Sequence, residues 1–362
     1  MFVRELLKPD GRALTLYSRR EIPAIGEVPA PNVDAVPANP HLRWHPLRGE
    51  WVAYAAHRQA RTFLPPPEYN PLRPTREGGV PTELPAGDYD VAVFENLFPA
   101  MSMRASDPPA LQVTTEAARG RCEVVVFSQD PEGSLGRLAL EQIALVLEVW
   151  ADRTRRHAES GSIRYCLPFE NRGVEVGVTL HHPHGQIYSY PFVPPVPARM
   201  NRLERIHHRR TGESLLEGLV EQEIGDGRRM LYAGEHAVAF VPAWARYPYE
   251  TWIAPRRQAA YLGDLSRPER HDLARALKTV LLKYDGLWER PFPYQMSWYQ
   301  APLDGRPHPE AHLHAELLPP YRNRDRLKFL AGTELGAGMY AMDALPEDKA
   351  AELQRVDVDL GE

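Results

Sequence analysis

The sequence predicts an α+β protein made of two similar antiparallel half-sheets, each carrying a packed helix and fused side by side. Three observations carry that expectation: the same order of short apolar strands and one long helix occurs twice, each copy ends on a His-x-His, and the helix-to-histidine spacing is constant. Subtracting His182 from His312 gives a shift of 130, and the same shift lays residues 273–283 over 143–153. One duplicated unit explains all three.

Taken in order, residues 90–96 and 122–127 are β-branched and apolar between turn residues, which predicts strands. From 138 to about 158, Leu140, Ile143, Ala144, Leu147 and Ala151 recur at helical spacing, with Asp152, Arg153, Arg155 and Arg156 at the far end. Residues 163–169 and 174–180 return to extended structure and lead into His182-Pro-His184-Gly-Gln186. The second half replays this with strands at 237–242 and 250–255 and a helix from about 267 to 284, whose core face is Leu273, Leu277, Val280, Leu281 and Tyr284. A strand at 294–299 and then His312 and His314 complete it. The expected division is an extension over 1–42, halves over 43–198 and 199–335, and a tail over 336–362.

Composition narrows the function. The 362 residues are 43% hydrophobic and 25% charged, enough apolar material for a substantial core and no sign of a disordered tail. A net charge of -5 supplies no broad positive field, which argues against nucleic acid or an anionic membrane as the main partner, so bound phosphate must meet a local site. The start lacks the apolar core of a secretory signal and no apolar run is long enough to span a membrane, so a cytoplasmic protein is expected. Cys122 and Cys166 sit in apolar stretches without a CxxC partner and read as buried thiols. The prolines, 36 against 25 glycines, cluster in stretches that read as ordered irregular connections.

The strongest chemical signal is His182-Pro-His184-Gly185-Gln186-Ile-Tyr188. In a strand, positions 182, 184 and 186 project to one face, which would line one surface with two imidazoles and a carboxamide. A neutral imidazole is a good nucleophile near neutral pH, and a hydrogen bond to its other nitrogen fixes the tautomer and raises its basicity. His184 fits that role, with a backbone carbonyl near His182 as the orienting acceptor. Gln186 supplies an uncharged donor for a phosphoryl oxygen, and Gly185 would let a phosphate approach the backbone. His-x-His can equally hold a metal.

The stretch Phe169-Glu-Asn-Arg-Gly173, then Gly177, then His182-Pro-His184-Gly-Gln186 closely resembles the active-site signature of the galactose-1-phosphate uridylyltransferase family of the histidine triad superfamily. The likeness runs from about Arg43 to Glu334 and implies two fused histidine-triad-like halves. It also implies a double displacement, in which His184 takes UMP from UDP-glucose as a phosphoramidate and passes it to galactose 1-phosphate. Gln186 stands where histidine triad hydrolases carry a third His. A departing sugar phosphate, with a second pKa near 6, needs no proton donor at neutral pH.

By motif match the resemblance also implies that Arg58 and Arg61 contact the nucleotide phosphates and that Asn96 and Phe98 lie in the uracil and ribose region. Asn171, Gly177, Val178 and Thr179 match the loop beside the phosphates. Lys328, Phe329, Thr333 and Glu334 match a segment that reaches the neighbouring subunit's site in a homodimer and holds the hexose. The departures concern metal. Where many bacterial relatives carry zinc ligands, this chain has Asn70, Arg73 and Pro131, and only His182 survives, so no zinc and no required cofactor is expected. At the family's second metal site Tyr299 and Glu316 replace histidines, leaving His312, His314 and Glu316 as a weak candidate set and a buried hydrogen-bonded cluster as the simpler reading. His181 is expected only to pack. The rivals are a related nucleotide-sugar phosphorylase or hydrolase, for example on an ADP-sugar, and a catalytically inactive nucleotide-binding regulator.

Overall fold

The computed structural model describes residues 1–31, 38–60 and 69–361. The first half contains β1 (Phe2–Leu7), β2 (Ala13–Ser18), β3 (His41–His45), β4 (Glu50–Tyr54), β5 (Val91–Glu95), β6 (Thr115–Ala117), β7 (Arg121–Val126), α1 (Leu140–Ala158), β8 (Tyr165–Arg172) and β9 (His184–Tyr190). The second contains α2 (Pro195–Thr211), α3 (Leu215–Asp226), β10 (Met230–Ala233), β11 (Ala237–Phe240), β12 (Thr251–Pro255), α4 (Arg267–Leu287), β13 (Tyr294–Tyr299), β14 (His314–Leu318), β15 (Tyr321–Asn323), β16 (Arg326–Leu327) and α5 (Pro346–Gln354).

Local signals set the helix limits. Ser266 caps α4 in a reciprocal box with Glu269, Pro195 opens α2, and left-handed Gly212 and Gly227 close α2 and α3. Arg155, Arg156 and His157 end α1, where cations complement the helix dipole.

Among the described residues, eleven strands form one sheet in the order β1-β2-β5-β7-β9-β8-β13-β14-β12-β11-β10. The run β5-β7-β9-β8 is mirrored by β11-β12-β14-β13, and the halves meet where β8 pairs antiparallel with β13, Asn171 opposite Gln295. The duplicated unit is therefore a continuous sheet with an internal pseudo-dyad. Helices α1 and α4 lie together on one face, burying Ile143, Val146, Leu147 and Trp150 with Leu273, Leu277, Val280 and Leu281. Beta strands β1 and β2 extend the sheet edge beyond β5, and α5 packs Ala350 and Leu353 into the same core.

The other face carries separate covers. Leu72 and Leu84 pack on Leu14, Leu16, Phe94 and Val126, while Leu42 of β3, Met101 and Ala118 pack on Cys122 beside Tyr188. Helix α3 seals the second half by placing Leu216 and Val220 on Val238, Phe240, Trp252 and Ala254.

Residues 174–180 are not extended. Val174–Val176 form a 3-10 turn closed by Gly177 at φ +79°, and Gly173 also has positive φ, at +99°; those angles turn the chain out of the sheet. Both cysteines are buried thiols, as expected. His181 is exposed rather than packed. No helix among the described residues is long and apolar enough to cross a membrane.

Candidate active site

Strand β9 opens on His184, with β7 on one side and β8 on the other, Val126 opposite His184 and Phe169 opposite Gln186. Two-residue periodicity puts His184, Gln186 and Tyr188 on the face away from α1, each half-buried. His184 Nδ1 donates to the backbone oxygen of His182 at 2.7 Å, the orienting bond expected from the sequence. That tautomer carries its basic lone pair on Nε2.

His182 does not share this surface. It precedes β9, is buried, and has both ring nitrogens engaged: Nε2 with Ser128 O at 2.7 Å and Nδ1 with Asn70 Nδ2 at 3.2 Å. Burial lowers its pKa and keeps it neutral. The expected row of two imidazoles and a carboxamide is one imidazole and a carboxamide, with His182 acting through its carbonyl.

Gly185 also has a different role from the one expected. A Cβ there would point to the helix side, 2.7 Å from Phe127 Cζ and 2.8 Å from Phe169 O, so packing behind the strand excludes a side chain. Phosphate approach is not what that glycine serves.

Around this face, Arg58 Nη1 donates to Phe98 O at 3.0 Å and to Tyr188 OH at 3.2 Å, which aims the guanidinium along β9. Asn96 Oδ1 accepts from Phe98 N at 2.9 Å, fixing the turn after β5. Beside it opens a cavity of about 490 Å³, lined by Asn96, Met101, Arg104 and Cys122 among others. Asn171 is the penultimate residue of β8, Val178 N bonds back to Gly173 O, and Thr179 is buried, so the loop after β8 folds back on its own start. Arg61 lies outside the described residues. Tyr188, which steadies Arg58, was visible in the sequence as the next same-face position after Gln186, but its role was missed because Arg58 is 130 residues away.

Lys328 is buried, with Nζ donating to Ala341 O at 2.7 Å and 4.0 Å from Glu334. Glu334 accepts from Ala331 N, Thr333 is exposed, and Phe329 is 75% exposed. Within one chain the Lys328 ammonium is thus used internally while Phe329 projects.

The second half repeats the geometry. His314 Nδ1 donates to His312 O at 3.0 Å and His312 Nε2 to Pro255 O at 2.9 Å. Here the counterpart of His184 is sealed: His314 is buried and stacked between Trp252 at 4.8 Å and Tyr299 at 5.3 Å. Glu316 Oε1 lies 3.8 Å from His314 Nε2, and Glu316 Oε2 pairs with Arg246 at 2.5 Å. A guanidinium therefore holds the position beside Glu316 that a cation would need, and two facing donor atoms do not make a metal site. In the first half, Asn70 and Ser128 engage both His182 nitrogens, which leaves neither turned to a metal in this arrangement. Among the described residues no three His, Cys, Asp or Glu side chains gather as metal ligands.

Residues 32–194 match the galactose-1-phosphate uridyl transferase N-terminal domain and residues 200–360 its C-terminal domain. The chain belongs to the galactose-1-phosphate uridylyltransferase family. A galactose-1-phosphate uridylyltransferase of Thermotoga maritima is 37% identical over 88% of this chain and 99% of its own length, and one of Streptomyces lividans is 34% identical over 98% and 97%. Among solved structures, a uridylyltransferase superposes with a TM-score of 0.79 at 33% identity, covering 87% of this chain and 98% of that one. An ADP-glucose phosphorylase from Arabidopsis thaliana with bound ADP-glucose gives 0.67 at 25% identity, covering 89% and 100%. The family's shared fold thus includes both a uridylyltransferase and a phosphorylase.

Proposed function

We propose that this chain exchanges UMP between glucose 1-phosphate and galactose 1-phosphate by double displacement through His184. The observation that carries the reading is the half-buried His184 imidazole, its tautomer fixed by the His182 carbonyl, with Gln186 on the same face. Nε2 of His184 attacks the α-phosphorus of UDP-glucose, the N–P bond forms, and the bond to the glucose 1-phosphate oxygen breaks. As the ring becomes cationic, its Nδ1–H bond to the His182 carbonyl strengthens and steadies it. Gln186 donates to the phosphoryl oxygen, and Arg58, held by Phe98 O and Tyr188, meets the phosphates. Tyr188 lies on the order of 13 Å along β9 from His184, a separation that supports reading the cavity beside Asn96 as the nucleoside end of the site. Galactose 1-phosphate then attacks the phosphoramidate and leaves as UDP-galactose, restoring the imidazole. No metal takes part, and the working form is a cytoplasmic homodimer.

Mixing enzyme with UDP-glucose alone should release glucose 1-phosphate in one stoichiometric burst and leave one UMP on the chain, in an acid-labile, comparatively base-stable bond. Galactose 1-phosphate should discharge it, dialysis against chelator should leave the burst intact, and His184→Ala should abolish it while still binding UMP. A larger burst with ADP-glucose, discharged by inorganic phosphate, would establish the phosphorylase reading that the Arabidopsis structure suggests. Steady UMP release without acceptor would establish a hydrolase.

A further inference from the structure

We propose that Asn70 is a positioning residue for His184, acting through His182 in place of a metal; the inference rests on the transfer chemistry assigned to His184. The hydrogen bonds define a chain of one polarity. Leu72 N donates to Asn70 Oδ1 at 2.9 Å, which sets the orientation of the carboxamide and turns its NH2 toward His182. Asn70 Nδ2 then donates to His182 Nδ1 at 3.2 Å, so the remaining ring proton sits on Nε2 and goes to Ser128 O at 2.7 Å. Pinned on both nitrogens, His182 cannot rotate, and its backbone oxygen is held where His184 Nδ1 meets it at 2.7 Å. Pro183 is fixed from the sheet side, its oxygen accepting from Phe127 N at 3.1 Å.

A doubly held imidazole of this kind does what a metal–ligand bond would do for the chain just before β9: it fixes one rotamer and one tautomer. It does so with a carboxamide, a carbonyl and no ion. The second half supplies an internal comparison. His312 keeps the bond from Nε2 to a backbone oxygen, but its buried Nδ1 has no hydrogen-bond partner among the described residues, and His314 after it is buried. The added donor on Nδ1 is found only in the half with the accessible histidine.

The test combines spectroscopy and kinetics. In the unmodified protein, nitrogen-15 spectra of the imidazoles should show His182 protonated on Nε2 alone and His184 on Nδ1 alone; His182 protonated on Nδ1 overturns the inference whatever the activity. Rapid-mix measurement of the UDP-glucose burst should find Asn70→Ala slowed between about tenfold and a hundredfold, because misplacing the nucleophile by a fraction of an ångström is costly. The dissociation constant for UMP should stay within about twofold, since binding groups are untouched. His182→Ala should be slowed likewise, and the double variant no further than the slower single one. An unchanged burst in Asn70→Ala, equal losses in burst and UMP binding, or losses that multiply in the double variant would each overturn it. If the unmodified protein shows no burst, the transfer reading fails, while the tautomer measurement still decides the role of Asn70.

Discussion

On the proposed reading, His184 owes its reactivity to one bond it donates and the surface it shares. The His182 carbonyl selects the Nδ1–H tautomer, and Gln186, one step along the same face, would in the proposed transfer meet the same phosphoryl group without being an acid. Gln186→Ala should therefore lower the burst rate and the discharge by galactose 1-phosphate together, by about 10². Both half-reactions pass through the same phosphoryl geometry, so a loss confined to one would remove Gln186 from this role. The His184 and Gln186 pair was legible because alternation along a strand is a local property. The place of His182 was not, because its partners Ser128 and Asn70 lie 54 and 112 residues away, and a sequence pattern does not report which remote carbonyl a ring will find.

Strand β9 works as an element with two different faces. The front carries His184, Gln186 and Tyr188, while the back is pressed on α1 and Phe127, which is why Gly185 cannot carry a side chain. A buried ionic network anchors that back. Arg153 and His157 of α1 grip Glu123 of β7, and His157 Nδ1 bonds Ser189 of β9 at 2.6 Å. Burial opposes the charge on His157, but the Glu123 carboxylate outweighs it and raises the pKa to about 9. A raised folded-state pKa stabilises below the unfolded value of 6.5 and loses that contribution as pH rises through about 9, on the order of 3 kcal/mol in all. Glu123 is depressed, against burial, by His157 and Arg153, so its contribution is lost instead as pH falls. The melting temperature should fall between pH 7 and 10, and His157→Gln should flatten that slope; a slope unchanged by the substitution would show that His157 is not its source. Helices α1 and α4 were legible because each buries a regular apolar stripe. Helix α2 was not, because only Pro197 and Asn201 along it are buried and its outer face carries Arg199, Arg202, Arg205, Arg209 and Arg210. The loop at 174–180 escaped because the angles at Gly173 and Gly177, not the valines between them, decide its path.

Across the whole molecule, duplication produced two His-x-His sites and the fold kept one open. Helix α3 and the stack of Trp252, His314 and Tyr299 fill the second. The repeat of 130 residues was legible from spacing alone; which copy would be sealed was not, because α3, which covers it, has no counterpart among the described residues of the first half. An apolar surface is left open near the far end of the chain. Phe329, Leu335 and Met339 are 75%, 62% and 65% exposed within a short stretch, more than scattered surface residues need be. If this stretch completes a partner's site, His184 and Phe329 of one working site belong to different chains. A His184→Ala chain mixed with a Phe329→Ala chain should then regain activity, because a mixed dimer holds one site with both groups and one with neither. Random pairing makes half of the dimers mixed, so about a quarter of the unmodified activity should return. Phe329 suits this test better than Lys328, whose buried ammonium holds Ala341 and whose loss would disturb the segment itself. Subunits that exchange without any gain in activity, or a fully active monomer in sedimentation, would show that each chain works alone.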